Sequence, residues 1–149
     1  MKYYSYPQFL NDTKLLLNQI KQDSPSDAIL ALARGGLTLG HFLSNALENR
    51  HLLCLNAIHY DNNIKRDDDV VLFNLPDLTQ YKTLLVVDEI VDSGETMKAV
   101  VEELNKIYPN LEVKTLTLFQ KKSACFQCDY FAQNTDEWIE FFWEKDLLL

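Results

Sequence analysis

Residues 84–97 read Leu-Leu-Val-Val-Asp-Glu-Ile-Val-Asp-Ser-Gly-Glu-Thr-Met, and this stretch decides the fold. Its aliphatic first part is typical of a strand that is buried on both faces. Helical spacing of apolar residues resumes at Glu95, so a strand passes into a helix through a turn of small residues. N–H groups at the start of a helix bind phosphate, and the acids of this stretch suit sugar hydroxyls or a divalent metal. The stretch therefore predicts a site for a substrate that carries both hydroxyls and phosphate.

The same succession of strand, glycine turn and helix occurs around Arg34-Gly35-Gly36. Apolar spacing and capping residues extend the pattern over most of the chain. We expect helices over residues 6–22, about 37–48 and 95–108, and strands over 28–33, 52–58, 83–88 and 113–119. Strands that alternate with helices predict an α/β fold with a mostly parallel central sheet, flanked by helices, with ligands at the carboxyl ends of the strands.

Two segments lack this regularity. Residues 60–79 are mostly polar. A segment of this length predicts either a functional lid, which we call the flexible loop, or a solvated hairpin. The aromatic-rich residues from about 120 to 149 predict a small cap folded over the sheet. The chain then forms a single domain over 1–149, with a core of about 1–119.

The composition argues against several classes of protein. The net charge of −8 disfavours binding of nucleic acid, which depends on Lys and Arg contacts to phosphates. No apolar run approaches the ~18 residues of a membrane span, and residues 1–6 lack the core of a signal peptide. The three cysteines argue against a disulfide framework, and the C-x-x-C pair of Cys125 and Cys128 lacks a second pair for zinc. We therefore expect a cytoplasmic protein.

Three segments resemble the motifs of one enzyme family. Val86 to Thr96 is similar to the phosphoribosyl pyrophosphate (PRPP) motif of type I phosphoribosyltransferases, and Ala33 to Leu37 is similar to their pyrophosphate loop. Residues 119–121 and 136–140 resemble the base-binding hood of small bacterial xanthine-guanine phosphoribosyltransferases. The resemblance spans residues 28–143 and implies the type I phosphoribosyltransferase fold, in which the predicted cap is a C-terminal hood.

The resemblance implies a role for each residue that would bind PRPP. Asp88 and Glu89 would hold the ribose hydroxyls, directly or through water bound to Mg²⁺. Arg34 and Gly35 would hold the pyrophosphate, with a cis peptide bond between Ala33 and Arg34 as in relatives. The 5′-phosphate would lie in the phosphate loop of Asp92, Ser93, Gly94, Glu95 and Thr96.

Two parts of this assignment depart from the family. Glu95 stands where relatives often have glycine or another small residue, and a carboxylate facing the phosphate would be repulsive. We therefore expect its side chain to point to solvent and only its N–H to serve the site. The flexible loop is longer than in relatives, and Lys65 and Arg66 are its expected cations for the pyrophosphate.

The hood resemblance implies how a base would be bound. Lys121 would donate to the O6 atom of a 6-oxopurine, with its neighbour Lys122 as the rival. Trp138 would stack on the ring, unless it is a plain core aromatic, and the Ile139 main chain would meet the 2-position edge. Asp92 would also accept the N7 proton as N9 attacks the sugar, unless it only shapes its turn.

The activity implied is transfer of the 5-phosphoribosyl group from PRPP to N9 of guanine, xanthine or hypoxanthine in purine salvage, with Mg²⁺ as cofactor. Relatives are dimers or tetramers, so we expect a homodimer or homotetramer. The alternatives are a regulatory protein of the same fold that senses PRPP or a nucleotide, and a transferase for orotate, uracil or adenine. Lys121 with Trp138 favours a 6-oxopurine.

Overall fold

The computed structural model describes residues 1–59 and 70–148. Its strands in chain order are β1 (Lys2–Tyr4), β2 (Ala28–Ala33), β3 (Leu52–His59), β4 (Val70–Phe73), β5 (Thr83–Val91), β6 (Glu112–Gln120), β7 (Tyr130–Asn134) and β8 (Ile139–Phe141). Within the described residues, the central sheet has six strands in the order β4-β3-β2-β5-β6-β7. All its neighbouring strands are parallel except the β3–β4 pair, which is antiparallel. A mostly parallel sheet was expected and is confirmed.

Helices cover both faces of this sheet. They are α1 (Tyr6–Ile20), α2 (Leu37–Ala46), α3 (Glu95–Ile107) and the short α4 (Phe142–Lys145). Alternate residues of a strand point to opposite faces, and β5 is apolar on both. Leu85 and Val87 pack with the apolar side chains of α1 and α2, whereas Leu84 and Val86 pack with those of α3. The continuous aliphatic run of β5 therefore fills two cores at once.

The start of α1 has the capping interactions that its sequence predicts. The Gln8 N–H donates to the Ser5 hydroxyl at 3.3 Å, and the Ser5 N–H donates to the Gln8 side-chain carbonyl at 2.9 Å. These reciprocal hydrogen bonds satisfy two N–H groups that a helix start would otherwise leave without an acceptor.

Three features differ from the pattern expected of the sequence. β5 continues to Val91, so Asp88 and Glu89 lie within a strand instead of at its end. β7, from the segment assigned to the hood, joins the central sheet beside β6. β1 and β8 form a separate parallel pair. β1 has three residues and a partner more than a hundred positions away, so local periodicity does not reveal it.

The segment 60–79 divides into two parts. Residues 60–69, which include Lys65 and Arg66, lie outside the described part of the chain. In the described part, Val70–Phe73 form β4, which pairs with β3 so that Ala57 faces Leu72. Leu78 is fully buried in the core between the sheet and α3. Residues 70–78 are therefore part of the sheet and its core, and the choice between a lid and a solvated hairpin for the segment 60–79 stays a prediction.

Among the helices of residues 1–59 and 70–148, none is both long enough and apolar enough to cross a bilayer.

Candidate active site

The carboxyl ends of β2, β3 and β5 open into one cavity of about 1160 Å³. This is the edge at which a parallel α/β sheet binds ligands. The predicted site residues that line the cavity are Arg34, Gly35, Asp88, Glu89, Asp92, Ser93, Gly94, Thr96 and Trp138. The structure therefore brings the two glycine turns and the hood together, although they are separated in sequence.

The phosphate loop is shaped around Gly94. This residue has a φ of +90°, a conformation that side chains disfavour. A Cβ atom at this position would lie 2.6 Å from the Phe126 nitrogen, so the space is also closed to any side chain. Gly94 is the N-cap of α3 and offers no side chain to the first-turn N–H groups. The N-cap therefore leaves this turn open to an external anion, although the Glu95 N–H donates to the Ser93 hydroxyl.

Asp88 and Glu89 are adjacent acids with few compensating contacts. The Glu89 N–H donates to Asp88 Oδ1 at 2.9 Å. Burial raises the pKa of the Asp88 carboxyl well above its ordinary value, and the negative charge of Glu89 raises it further. Two acids that resist being charged together are stabilised by a cation or by hydroxyl donors. This donor set is suited to a hard divalent ion.

The turn after β2 lies directly against these acids. The peptide bond between Ala33 and Arg34 is cis, as the resemblance implied. A Cβ atom at Gly35 would lie 2.0 Å from the Glu89 carboxyl carbon, and one at Gly36 would lie 2.4 Å from the Val87 carbonyl oxygen. At Gly36 the neighbouring atoms are backbone, so only glycine permits this approach, whereas at Gly35 the neighbour is the end of the Glu89 side chain. Arg34 and the acid pair thus face the same part of the cavity.

Lys121, which is not among the residues that line the cavity, forms an ion pair with Asp92, which is. The Lys121 ammonium nitrogen lies 2.5 Å from Asp92 Oδ1, and both side chains are partly exposed. The Lys121 backbone N–H donates to the Val91 carbonyl at 3.0 Å, which fixes this residue beside the end of β5. Lys122 is exposed. Lys121 is therefore the lysine whose ammonium group meets the phosphate loop.

Trp138 and Ile139, the residues assigned to the base site, lie in the segment predicted to form the hood. Trp138 is 57% exposed at the cavity rim, so the alternative of a plain core aromatic was wrong. The Lys2 N–H donates to the Trp138 carbonyl at 2.9 Å. Ile139 is the residue opposite Lys2 in this parallel pair. In a parallel pair, a residue hydrogen-bonds to the neighbours of the opposite residue, so the N–H and C=O of Ile139 point away from β1. The Ile139 side chain is buried while these backbone groups remain unused by β1.

Glu95 does not point to solvent, so that expectation was wrong. Its Oε2 atom is buried and lies 2.9 Å from Nε2 of His59, the last residue of β3. The Glu95 N–H donates to the Ser93 hydroxyl at 3.3 Å. The carboxylate is turned toward β3 and meets the His59 imidazole.

The cavity-lining residues that sequence reasoning missed include His59, Trp143 and Glu144. Trp143 stacks on Phe141 with ring centroids 4.6 Å apart. Burial and the charge of Glu89 raise the pKa of the Glu144 carboxyl, and Arg34 opposes this rise, so Glu144 lies near both. In the sequence Glu144 belongs to a charged run typical of a solvated end. His59 could have been found as a polar residue at a strand's carboxyl end.

The side chains of Gln120 and Gln127 are hydrogen-bonded to each other next to Lys121, and we call this pair the glutamine bridge. Gln120 is 1% exposed, and its side-chain N–H donates to Gln127 at 2.9 Å. The Gln127 side chain in turn donates to the Lys121 carbonyl at 3.0 Å. The backbone carbonyl of Gln120 accepts a hydrogen bond from the backbone N–H of Thr135 at 3.0 Å, just before the hood residues 136–140. The bridge therefore connects Lys121 to the hood.

The segment after Lys121 also contacts the phosphate loop. The Cys125 N–H donates to the Ser93 carbonyl at 2.8 Å. The Cys125 sulfur would lie 3.2 Å from a Cβ atom at Gly94. The C-x-x-C segment is thus packed against the loop. Its two thiols are free, and among the described residues no group of three His, Cys, Asp or Glu side chains is arranged to hold a metal.

Comparison with known proteins assigns the class that this fold and site define. Residues 2–148 match the phosphoribosyl transferase domain family, and the chain belongs to that family. The resemblance to type I phosphoribosyltransferases and the predicted fold class are thereby confirmed.

Particular relatives are purine enzymes. The chain is 34% identical to the xanthine-guanine phosphoribosyltransferase of Idiomarina loihiensis, over 80% of this chain and 71% of that protein. Its identity to the Vibrio atlanticus enzyme of the same name is 31%, over 80% and 73%. The Helicobacter pylori xanthine-guanine-hypoxanthine phosphoribosyltransferase structure matches with a TM-score of 0.90 and 40% identity, over 98% of this chain and 95% of that one. A purine phosphoribosyltransferase from Pyrococcus horikoshii matches with a TM-score of 0.82 and 27% identity, over 99% and 96%.

Proposed function

We propose that this protein transfers the 5-phosphoribosyl group of PRPP to N9 of guanine, xanthine or hypoxanthine and releases pyrophosphate, as a step of purine salvage. One observation carries the proposal. The Lys121–Asp92 ion pair, suited to a 6-oxopurine, lies at the phosphate loop that would hold the sugar phosphate. Donor and acceptor sites in contact are what group transfer between them requires.

PRPP would extend from the phosphate loop to the turn after β2. The 5′-phosphate would accept hydrogen bonds from first-turn N–H groups of α3, which Gly94 does not cap because it has no side chain. The ribose hydroxyls would donate to Asp88 and Glu89. Arg34 would bind the pyrophosphate, since a planar guanidinium makes paired hydrogen bonds to phosphate oxygens.

Mg²⁺ fits the acids of this site. Asp88 and Glu89 would hold the ion, directly or through water, and their buried negative charge supports a cation there. Mg²⁺ is typically held by one or two carboxylates, with waters and substrate phosphates as the remaining ligands, so a third protein ligand is unnecessary. When bound, the ion offsets the charge that develops on the leaving pyrophosphate.

The acceptor base would lie between Trp138 and the ion pair. The Lys121 ammonium would donate to O6, and a 6-amino group would instead place two donors opposite each other. Asp92 would accept the N7 proton, which raises electron density at N9 as this atom attacks the sugar. The indole of Trp138 would stack on the ring, and the unused N–H and C=O of Ile139 would meet the 2-position edge.

Other expectations stay predictions. These are the contacts of Lys65 and Arg66 with pyrophosphate, the homodimer or homotetramer, and the cytoplasmic location. The net charge of −8 continues to disfavour a nucleic-acid partner.

A product assay tests the proposal. The protein is mixed with PRPP, Mg²⁺ and one base at a time, and released pyrophosphate and nucleoside monophosphate are measured. We expect product with guanine, xanthine or hypoxanthine and little with adenine, orotate or uracil. Product only with adenine, orotate or uracil would instead support the alternative of a transferase for that base. Binding of PRPP or nucleotide without product from any base would support the regulatory alternative.

A further inference from the structure

The phosphate loop contains a carboxylate whose position needs explanation. Glu95 is the first residue of α3, so its N–H belongs to the anion-binding turn. Its Oε2 atom is buried and, among the described residues, accepts no hydrogen bond. A buried carboxylate oxygen without a hydrogen-bond donor is costly unless a positive charge lies close.

His59 approaches this oxygen from another strand. It is the last residue of β3, and its Nε2 atom lies 2.9 Å from Glu95 Oε2. The two side chains are 25% and 35% exposed, so solvent screens the contact only in part. His59 also lines the cavity together with Ser93, Gly94 and Thr96. The imidazole therefore stands at the side of the phosphate loop and draws the carboxylate toward β3.

We propose that His59 is a positioning residue for PRPP binding, which offsets the charge of Glu95 and keeps its carboxylate away from the 5′-phosphate. This inference rests on the proposed function, because it concerns the same phosphate site. Without His59, an uncompensated carboxylate would stand beside a phosphate dianion and repel it. The 5′-phosphate is remote from the bond that breaks, so His59 acts on how PRPP is bound and touches none of the reacting atoms. His59 should thus change PRPP affinity and leave turnover nearly unaltered.

A double-mutant cycle on His59 and Glu95 tests this role. PRPP affinity is measured by calorimetry with Mg²⁺, and kcat and KM are measured with a base that the wild type accepts. His59→Ala should weaken PRPP binding about 3- to 30-fold, with kcat within about twofold of wild type. Glu95→Gln should bind PRPP at least as tightly as wild type. In the Glu95→Gln background, His59→Ala should change affinity by less than about twofold.

The controls separate this role from a structural one. His41→Gln removes another imidazole, an exposed one on α2 that does not line the cavity, and should leave PRPP affinity unchanged. Thermal unfolding of each variant reports on folding, and His59→Gln replaces His59→Ala if the latter unfolds. Unchanged affinity in either His59 variant overturns the proposal. An equal loss in the Glu95→Gln background also overturns it, because His59 would then act independently of Glu95.

The same measurements distinguish failure of the inference from failure of the proposed function. Wild-type protein that neither binds PRPP nor releases pyrophosphate with any base would contradict the function itself. Wild-type protein that does both, with His59 variants equal to it, would contradict only the inference.

Discussion

The two ends of the cavity are built in different ways. The donor end, where PRPP would bind, comes from two continuous turns, and their close contacts are made by backbone at Gly35, Gly36 and Gly94. The base end combines Lys121 with residues 135–139 and β1, and its contacts include side-chain bonds of the glutamine bridge. Backbone geometry fixes the donor end, whereas the base end depends on a few side chains. Substitutions should therefore affect the two ends in different ways.

The largest expected effect is at Asp92, where the two ends meet. Asp92→Asn keeps the shape and removes the charge that would accept the N7 proton. Loss of a general base costs about 10²- to 10⁴-fold, so kcat should fall by about that factor. KM for PRPP should change far less, and steady-state kinetics with a saturating base separates the two constants. Near-normal turnover would show that Asp92 only shapes its turn.

A smaller effect is expected at Lys121, on the base end alone. A hydrogen bond to a charged donor contributes about 1.5–3 kcal/mol, so Lys121→Gln should lower kcat/KM for the base about 10- to 150-fold. Discrimination against adenine should also weaken. Lys122→Gln is the matched control, because it removes an exposed lysine one position away. Equal losses in the two variants would argue against a specific contact of Lys121 with O6.

At the donor end, Gly94→Ala tests the backbone. The positive φ and the 2.6 Å approach to the Phe126 nitrogen both oppose a side chain there. Strain of about 1–3 kcal/mol should displace the loop and raise KM for PRPP about tenfold. KM for the base should rise much less. Chemical denaturation measures the stability loss, and a variant with wild-type stability and PRPP affinity would contradict the importance of this turn.

The smallest effect is expected in the glutamine bridge. Gln127→Ala removes the hydrogen bonds to Gln120 and to the Lys121 carbonyl, which should cost about 1 kcal/mol of unfolding free energy. KM for the base should rise about threefold while KM for PRPP stays constant. Gln22→Ala is the control, because this exposed glutamine makes one long hydrogen bond at 3.4 Å. A rise in KM for PRPP instead would mean that the bridge serves the phosphate loop.

The same contrast explains what the sequence could predict. The donor end follows from local pattern, because a buried run, a glycine turn and a helix start are neighbours in the chain. The cis bond at Ala33–Arg34 followed from the family motif and is confirmed. The α/β class followed from alternation of strands and helices.

What could not be predicted depends on contacts between distant segments. The pairing of β1 with β8 has no local signal, and β7 was assigned to the hood although it extends the central sheet. The orientation of Glu95 was wrong because its partner, His59, lies on another strand. Glu144 reached the cavity through α4, a helix of four residues that periodicity does not detect.

The pairing of β1 with β8 has a consequence for the order in which the site can form during synthesis. A ribosome makes β1 before most of the sheet, yet Lys2 cannot bond to Trp138 until that residue has emerged. The Tyr3 hydroxyl must likewise wait for Asp146, to which it donates at 2.9 Å. The elements of the donor end, β2 through α3, are all complete by residue 107. The ribosome therefore makes the helices and strands of the donor end first, then Cys125, whose N–H donates to the Ser93 carbonyl of the phosphate loop, and only afterwards Trp138.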